Sequence, residues 1–349
     1  MSNTLSWSDP LRHAAFTRWL QSVSARHGLR PDTLRPASAD ASFRRYFRID
    51  GSAGSLIVMD APPAHENVAA FIRVATMLET AGLNAPRVFE SDATHGFLLL
   101  GDLGTRLYLE ALQDAVAAGD TATRDRLMRD AVQALIRWQA AADKTCLPPY
   151  DEAFVRRELD LFPAWCVARE LGVHWDAAAQ QTWQEACDAL VASALAQPTV
   201  AMLRDYMPRN LMVTANNNPG ILDFQDAVCG PIAYDIASLL RDAFISWEEE
   251  LEIDWAVRYW QEARRVGLEV PQDFGEFWRQ LEWMGLQRHL KILGIFCRLK
   301  HRDGKPAYSA DLPRFFTYAH KVASRYNPLR PLGRLLEPLM GVQRVEGFY

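Results

Sequence analysis

The sequence predicts an α+β fold with two lobes, a small β-rich N-terminal lobe and a larger, mainly helical C-terminal lobe. The chain has 349 residues, more than one hydrophobic core usually supports. Short apolar runs typical of strands lie within residues 1–103, whereas beyond Thr105 apolar residues recur at helical spacing. Since Gly101-Asp-Leu-Gly104 interrupts the last of these strands, we expect an N-lobe of residues 1–103 and a C-lobe of residues 104–349.

The N-lobe pattern predicts two pairs of strands around one helix. Residues 42–49 and 55–59 are β-rich and are separated by turn-forming residues, so they form a hairpin. A helix is predicted over residues 67–81, where apolar residues recur three and four positions apart. Residues 87–90 and 96–100 then supply two further short strands.

The C-lobe pattern predicts helices interrupted by one hairpin. Residues 125–142 carry an apolar stripe at helical spacing, and later tryptophan-rich stretches continue this pattern. Residues 210–214 and 220–224 flank the turn-rich segment Ala215-Asn-Asn-Asn-Pro219, which predicts a hairpin. The proline-rich residues 327–338 are predicted as a packed tail or loop.

The composition excludes several classes of protein. Its hydrophobic fraction of 49% and charged fraction of 23% are those of a globular protein, and its net charge of -5 does not favour nucleic acid as a partner. No apolar run reaches membrane-spanning length, and the N-terminus does not resemble a signal peptide. The five cysteines form no CxxC pair, so reduced, mostly buried thiols are expected rather than disulfides or zinc. We therefore expect a cytoplasmic protein without a nucleic-acid, membrane or obligate protein partner.

One ordered set of polar residues indicates phosphoryl transfer. Asp205 and Asn210 lie five residues apart, just before the hairpin that ends at Asp223. In kinases, a loop Asp takes the proton of the acceptor hydroxyl, while an Asn and a second Asp hold Mg²⁺ on the ATP phosphates. Asp205 is thus predicted as the catalytic base, with Asn210 and Asp223 as metal ligands. Turn chemistry is the alternative explanation for Asp205 and Asn210.

Two neighbouring carboxylates have simpler explanations. Asp226 either caps a loop or contacts a substrate or second metal. Asp235 precedes an apolar helical segment, so an N-cap role at the start of a helix is predicted.

At these residues the sequence resembles the aminoglycoside phosphotransferase and choline kinase superfamily. In that superfamily a His-Gly-Asp-x4-Asn loop is followed by an Asp on a returning hairpin, whereas here the triplet is Leu203-Arg204-Asp205. The resemblance implies a bilobal, protein-kinase-like fold with ATP and Mg²⁺ as cofactors.

Three segments are more specifically similar to the anomeric kinases for N-acetylmuramate and N-acetylglucosamine, which serve bacterial peptidoglycan recycling. They are Arg204-Asp-Tyr-Met-Pro-Arg-Asn-Leu-Met212, Leu222-Asp-Phe-Gln-Asp-Ala227 and Gly230-Pro-Ile-Ala-Tyr-Asp-Ile236. This resemblance implies an amino-sugar substrate and a sugar 1-phosphate product. Another small hydroxyl acceptor, such as an aminoglycoside, a choline-like alcohol or homoserine, stays open, as does a nucleotide-binding pseudokinase.

The resemblance also locates a nucleotide site in the N-lobe. Ser38-Ala-Asp-Ala-Ser-Phe43 replaces a glycine-rich phosphate loop, so Ser42 and the backbone near Phe43 are expected to cradle phosphate. The segment that joins the lobes in such kinases corresponds to residues 98–103, and it implies adenine contacts from Leu100, Asp102 and Leu103.

The third strand lacks the lysine of a typical kinase and carries Met59-Asp60 at its end. Arg44, Arg45 and Arg48 are the nearest replacements, because a guanidinium binds phosphate through paired donors, and Arg44 is favoured. In the alternative, these arginines are solvated or pair with Glu66 or Glu79.

Candidate acceptor contacts lie in the C-lobe. Glu158 and Trp165 supply a carboxylate and an aromatic ring that suit a sugar, although helical spacing also fits core packing. Arg209 and Asp226 flank the predicted catalytic residues, and Arg209, Arg288 or Lys291 would suit the lactyl carboxylate of N-acetylmuramate.

Overall fold

The computed structural model describes residues 7, 9–38 and 43–341. The described residues within 1–142 and 208–227 form one compact unit, and those within 143–207 and 228–349 form the other. In chain order the first elements are α1 (Pro10–His27), β1 (Leu29–Ser38), β2 (Arg45–Gly51), β3 (Gly54–Asp60), α2 (Val68–Thr80), β4 (Val88–Asp92), β5 (Phe97–Gly101), α3 (Tyr108–Ala117) and α4 (Thr121–Ala141). They are followed by α5 (Glu152–Leu159), α6 (Ala177–Leu195), β6 (Thr199–Met202), β7 (Leu211–Met212), β8 (Gly220–Ile221), β9 (Val228–Pro231), α7 (Ala233–Leu240), α8 (Glu249–Arg265), α9 (Phe274–Asp303), α10 (Leu312–Arg325) and α11 (Arg330–Leu336).

The first unit contains an antiparallel sheet of five strands in the order β1-β2-β3-β5-β4. The predicted hairpin is its centre, with Phe47 opposite Val58. Helix α1 covers one face of this sheet, where Phe16 and Val23 share a buried cluster with Phe47 and Phe97. An N-terminal antiparallel sheet followed by a mostly helical remainder confirms the predicted α+β fold.

Helix α2 follows its predicted span closely. The side chain of Asn67 caps its start by accepting a hydrogen bond from the backbone N–H of Ala70 at 3.1 Å. The buried residues of α2 include Phe71, Ala75 and Leu78, which belong to the predicted apolar face. The period of the sequence therefore correctly identified which face of this helix is buried.

The second predicted hairpin is present as the short pair β7–β8, with Leu211 opposite Ile221. Its turn is tied down by the asparagines of the predicted turn segment. The Asn217 amide donates to the carbonyl oxygen of Gly82 at 2.9 Å, and the Asn218 amide donates to Asp130 at 2.8 Å. These bonds hold the hairpin within the first unit. They thereby help to fix the position of Asp223, which lies two residues after β8.

The second unit is built around α9, a helix of 30 residues whose middle is buried on all sides. Strands β6 and β9 form a separate antiparallel pair in this unit. Between α5 and α6, the segment Phe162–Glu170 has wider, π-helical turns. Phe162 is buried there, whereas Trp165 is partly exposed, so the two do not share one buried face.

The proline-rich C-terminal stretch is packed, as predicted, but it is helical rather than a loop. Its prolines stand in the first turns of short helices, where a missing N–H costs nothing. Leu329, Leu332 and Leu336 are all fully buried.

Two further features bear on the exclusions drawn from composition. Within the described part of the chain, no helix is both long and apolar enough to cross a membrane. All five cysteines are free, and Cys166, Cys187 and Cys297 are buried.

Candidate active site

The β7–β8 hairpin brings the side chains of Asn210 and Asp223 together. Asn210 ends the 3₁₀ turn Pro208–Asn210 directly before β7, and Asp223 lies just after β8. Asn210 Nδ2 lies 3.5 Å from Asp223 Oδ2. An amide oxygen and a carboxylate are both hard ligands of the kind that Mg²⁺ prefers, so this pair fits the predicted metal-binding role.

The side chain of Asp223 is partly exposed, whereas that of the next residue, Phe224, is buried. Asp223 has φ of 56°, in the left-handed region, and its side chain is 36% exposed. Phe224 is buried, with its ring centroid 4.8 Å from that of Phe71 on α2. The Gln225 amide donates to Asp223 Oδ1 at 2.9 Å and also lies 3.4 Å from the exposed Asp226. Asp223 is therefore oriented by both neighbouring side chains and backbone.

Arg44 contacts the candidate metal ligand. Its Nη2 donates to Asp223 Oδ1 at 3.2 Å, and its Nε lies 3.4 Å from Glu66 Oε2, just before α2. The side chain of Arg44 is only 9% exposed. The alternative prediction, a pairing of Arg44 with Glu66, is therefore present, whereas Glu79 lies near Arg87 instead. Phosphate binding by Arg44 stays a prediction.

Asp60 occupies the end of the third strand, where the sequence lacks a lysine. It is fully buried and accepts hydrogen bonds from the Nε atoms of Arg12 and Arg45, each at 2.9 Å. The Arg45 guanidinium also lies 3.8 Å above the Trp7 ring. Two arginines thus compensate the buried charge and attach helix α1 to the sheet.

The segment after β5 is fixed by the side chain of Asp102. Its Oδ2 accepts hydrogen bonds from Arg48 Nε and Ser55 Oγ, both at 2.6 Å, and its Oδ1 accepts from the N–H of Gly104 at 2.9 Å. Although burial opposes the effect, Arg48 and Ser55 lower the pKa of Asp102. The Asp102 carboxylate is bound by these three donors and fixes the conformation of the segment. Asp102 is therefore expected to contact adenine only through its backbone.

The other candidate nucleotide contacts differ in exposure. Leu100 is buried within β5, and Leu103 is partly buried. Phe43 is 62% exposed and stacks on His65 with ring centroids 4.1 Å apart. Ser42 lies outside the described residues.

Asp235 holds the loop that carries the candidate base. Its two carboxylate oxygens accept the backbone N–H groups of Leu203 and Arg204 at 2.7 and 2.9 Å, immediately before the partly exposed Asp205. Burial raises the pKa of Asp235 to about 7, against the opposing effect of these two donors. The predicted N-cap role is wrong, because Ile232 caps α7 and Asp235 lies within its first turn.

A buried ion cluster lies behind the same loop. Glu158 contacts Arg204 Nη2 at 3.0 Å and Lys291 Nζ at 2.7 Å, and it also accepts from the Tyr150 hydroxyl at 2.6 Å and the Gln287 amide at 3.1 Å. Although burial would raise it, the nearby cations hold the pKa of Glu158 at about 2. Glu158, which the sequence suggested as a sugar contact, thus lies inside a network of protein partners in the second unit.

The remaining acceptor candidates differ in exposure. Arg209 is exposed, and Trp165 is partly exposed with the Arg169 guanidinium 5.6 Å from its ring. Arg288 is buried and donates to the carbonyl oxygen of Arg204 at 2.8 Å. Within residues 7, 9–38 and 43–341, no group of three or more His, Cys, Asp or Glu residues is arranged to hold a metal ion.

Comparison with known proteins identifies the family. A family model described as the phosphotransferase enzyme family matches residues 33–276, which include Arg44, Asp205, Asn210 and Asp223. This chain belongs to that family. The predicted resemblance to phosphotransferases is confirmed.

Relatives of this phosphotransferase are similar over almost the whole chain. A protein of Pseudomonas putida named N-acetylmuramate/N-acetylglucosamine kinase is 47% identical over 312 residues, 89% of this chain and 90% of the relative. A protein of the same name from Neisseria meningitidis is 46% identical and covers 96% of this chain and 98% of its own length.

Solved structures show the fold at low identity. An ethanolamine kinase from Plasmodium vivax superposes with a TM-score of 0.62 at 10% identity, covering 91% of each chain. An aminoglycoside phosphotransferase with ADP bound gives a TM-score of 0.57 at 12% identity, covering 87% of this chain and 98% of its own. The phosphotransferase therefore has the fold of this group, as the resemblance implied.

The motif order alone does not predict two sets of contacts in this phosphotransferase. One joins Arg44 to Asp223, which lie far apart in the sequence, and the other joins Glu158 to Arg204 and Lys291. The second set leaves a sequence signal, since Lys291 lies directly before the apolar run of residues 292–297 in α9. A cation at such a position requires a buried partner.

Proposed function

We propose that this protein is an ATP-dependent sugar kinase that phosphorylates the anomeric hydroxyl of N-acetylmuramate, N-acetylglucosamine or both. The observation that carries the proposal is a sequence identity of 47%, over 89% of the chain, to a relative named for these two sugars. The product would be the sugar 1-phosphate. Activity in the cytoplasm, within peptidoglycan recycling, follows from the same proposal.

Asp205 is assigned to the acceptor sugar. Its carboxylate accepts the proton of the anomeric hydroxyl as the oxygen attacks the γ-phosphate of ATP in line with the leaving group. An anomeric hydroxyl is more acidic than an ordinary alcohol, so a strong base is not needed. The protein contributes chiefly by holding the reacting groups in position.

Asn210 and Asp223 would hold Mg²⁺ on the ATP phosphates. The neighbouring amide and carboxylate suit a metal that takes its remaining ligands from phosphate and water. The metal, when bound, neutralises charge that develops on the phosphates during transfer. The role of these two side chains is to fix where that charge is neutralised.

Arg44 is assigned to the phosphates in place of the missing strand-three lysine. It lies against Asp223, the candidate metal ligand, and Glu66 restrains its guanidinium from the other side. A planar guanidinium binds phosphate oxygens in pairs, so Arg44 suits this function. Ser42, Phe43, Leu100, Asp102 and Leu103 stay proposed nucleotide contacts.

Fewer residues are proposed as contacts of the acceptor sugar than the sequence alone suggested. Arg288 and Lys291 are buried and contact the loop and Glu158, whereas Arg209 is exposed and stays the proposed contact for a lactyl carboxylate. Asp226 and Trp165 stay proposed sugar contacts.

A phosphotransfer assay with several acceptors tests the proposed substrate. Mg²⁺-ATP is supplied with N-acetylmuramate, N-acetylglucosamine, an aminoglycoside, choline or homoserine, and the position of the phosphate is determined by ³¹P NMR. We expect phosphorylation of an amino sugar with loss of its reducing end. Turnover of another acceptor with both sugars inert would refute the substrate assignment, and no turnover of any acceptor would favour a pseudokinase.

A further inference from the structure

Arg204, the residue before the proposed catalytic base, has an unusual backbone conformation. Its φ is 71°, in the left-handed region where only glycine is free of steric cost. Among the described residues outside glycine, only Asn217 and Asp223 share a positive φ. Because arginine has a Cβ atom, surrounding contacts are required to hold it in this conformation.

The backbone of Arg204 is restrained on both sides. Its N–H donates to Asp235 at 2.9 Å, and its carbonyl oxygen accepts from Arg288 at 2.8 Å. Both partners are buried and come from helices α7 and α9. The peptide groups that flank Arg204 are therefore fixed to two helices of the second unit.

The side chain of Arg204 supplies a third restraint. Its Nη2 donates to Glu158 Oε1 at 3.0 Å, and its guanidinium carbon lies 4.8 Å from the centre of the Phe154 ring. The two charged side chains are 17% and 7% exposed. The long side chain thus runs into the protein and ends on a buried carboxylate of α5.

Both oxygens of Glu158 are used by protein donors. Oε1 contacts Arg204 and Lys291, and Oε2 accepts from the Tyr150 hydroxyl and the Gln287 amide. A carboxylate that is 7% exposed with four donors has no favourable way to bind a sugar hydroxyl as well. This arrangement argues against the direct sugar contact considered from the sequence.

We propose that Glu158 is a positioning residue that holds Arg204 in its left-handed conformation and so orients Asp205 toward the acceptor hydroxyl. Glu158 acts through Arg204 and does not touch the sugar. The inference rests on the proposed function, because it assigns Asp205 the role of the base. It also predicts that glycine at position 204, which tolerates positive φ without a restraint, makes Glu158 dispensable for turnover.

A double-mutant cycle tests this coupling. Steady-state kinetics are measured for the wild type, Glu158→Gln, Arg204→Gly and the double variant, with Mg²⁺-ATP and an amino sugar. We expect Glu158→Gln alone to lower kcat about tenfold or more, with KM for the sugar changed less than about twofold. In the Arg204→Gly background, the same substitution should change kcat by less than about twofold.

Two controls separate positioning from loss of folding. Lys291 loses its charged partner in both Glu158→Gln variants, so thermal stability should fall in both, whereas kcat should fall only with Arg204 present. Glu152→Gln is the matched change on the same helix, because Glu152 is 57% exposed and pairs with Arg156. This variant should keep wild-type kinetics.

Three results would overturn the positioning role: an equal loss of kcat in both backgrounds, a raised KM for the sugar with kcat unchanged, or wild-type kinetics for Glu158→Gln. A crystal structure of Glu158→Gln gives a readout without turnover. We expect Arg204 to leave the left-handed region, and a retained positive φ would contradict the inference. Inactivity of the wild type toward every acceptor would instead refute the proposed function, while the conformation of Arg204 still tests the restraint.

Discussion

Two residues of the candidate site, Arg204 and Asp223, adopt a left-handed backbone conformation without being glycine. Each conformation costs about 1–2 kcal/mol, so it persists only where surrounding contacts enforce it. At Arg204 the surrounding contacts come from Asp235, Arg288 and Glu158, while Phe224 is buried directly after Asp223. Local sequence rules thus fail at the residues next to the proposed chemistry, as is common for functional sites.

Arg44 gives a direct prediction at the residue scale. If its guanidinium binds ATP phosphates, Arg44→Ala should raise KM for Mg²⁺-ATP about tenfold to a hundredfold, since a charge-assisted hydrogen bond contributes about 1.5–3 kcal/mol. Arg44→Lys should recover part of this loss, because a lysine keeps the charge without the paired donors. Initial-rate kinetics at varied ATP measure the effect.

The matched control is Arg87→Ala, because Arg87 is 68% exposed and lies near Glu79 in the same unit. It should leave KM for ATP unchanged. An Arg44→Ala variant with the wild-type KM would show that Arg44 supports Asp223 and Glu66 structurally instead.

At the scale of elements, periodicity predicts what a repeated apolar face determines. It identified the β2–β3 hairpin and helix α2 closely, because many residues in each contribute the same pattern. It did not reveal α1, although Asp9 and Pro10 form a start signal in which Asp9 caps the N–H of Leu11. Single residues carry such signals, so they are easily missed.

Contacts distant in the sequence account for what remained unpredicted at the site. Asp235 stands before an apolar helix and so suggests a cap, but its partners are the N–H groups of Leu203 and Arg204, about thirty residues earlier in the chain. The set of Asp205, Asn210 and Asp223 could be identified from the sequence, because these residues follow one another at a recognisable spacing. The restraint of Arg204 by Glu158 was not, because it depends on packing between helices.

His289, a buried histidine of helix α9, gives a prediction for how the unfolding free energy of the protein depends on pH. Burial, together with Arg241, lowers the pKa of His289 to about 3, whereas an unfolded histidine titrates near 6.5. The unfolded chain therefore binds the proton more tightly, and the stabilising contribution present above pH 6.5 is lost as pH falls from 6.5 toward 3. At pH 5.5 the wild type should have lost about 1.4 kcal/mol of unfolding free energy from this group.

Urea unfolding at pH 7.5 and pH 5.5 measures this contribution as the difference between wild type and His289→Gln. The variant should lose about 1.4 kcal/mol less than the wild type between the two pH values, whatever its stability at pH 7.5. His174→Gln, at an exposed histidine of the same unit, is the control and should keep the wild-type difference. An unchanged pH dependence in His289→Gln would exclude His289 as its source.

At the scale of the whole molecule, each compact unit carries its own set of proposed functional residues. Asn210 and Asp223 lie in the first unit with Arg44, and Asp205 lies in the second with Glu158 and Arg204. The first unit thus carries the proposed nucleotide and metal contacts, and the second carries the proposed base and its support. The sequence-based lobe boundary near Gly101-Asp-Leu-Gly104 stays a prediction.

The most direct test of the central claim is phosphotransfer to N-acetylmuramate by Asp205→Asn. If Asp205 is the base, kcat should fall about 10²–10⁴-fold while the dissociation constant of Mg²⁺-ATP changes less than about threefold. Asp188→Asn, at an aspartate that is 61% exposed, should keep wild-type turnover. Wild-type kcat in Asp205→Asn, with nucleotide binding intact, would contradict the assignment of Asp205 as the catalytic base.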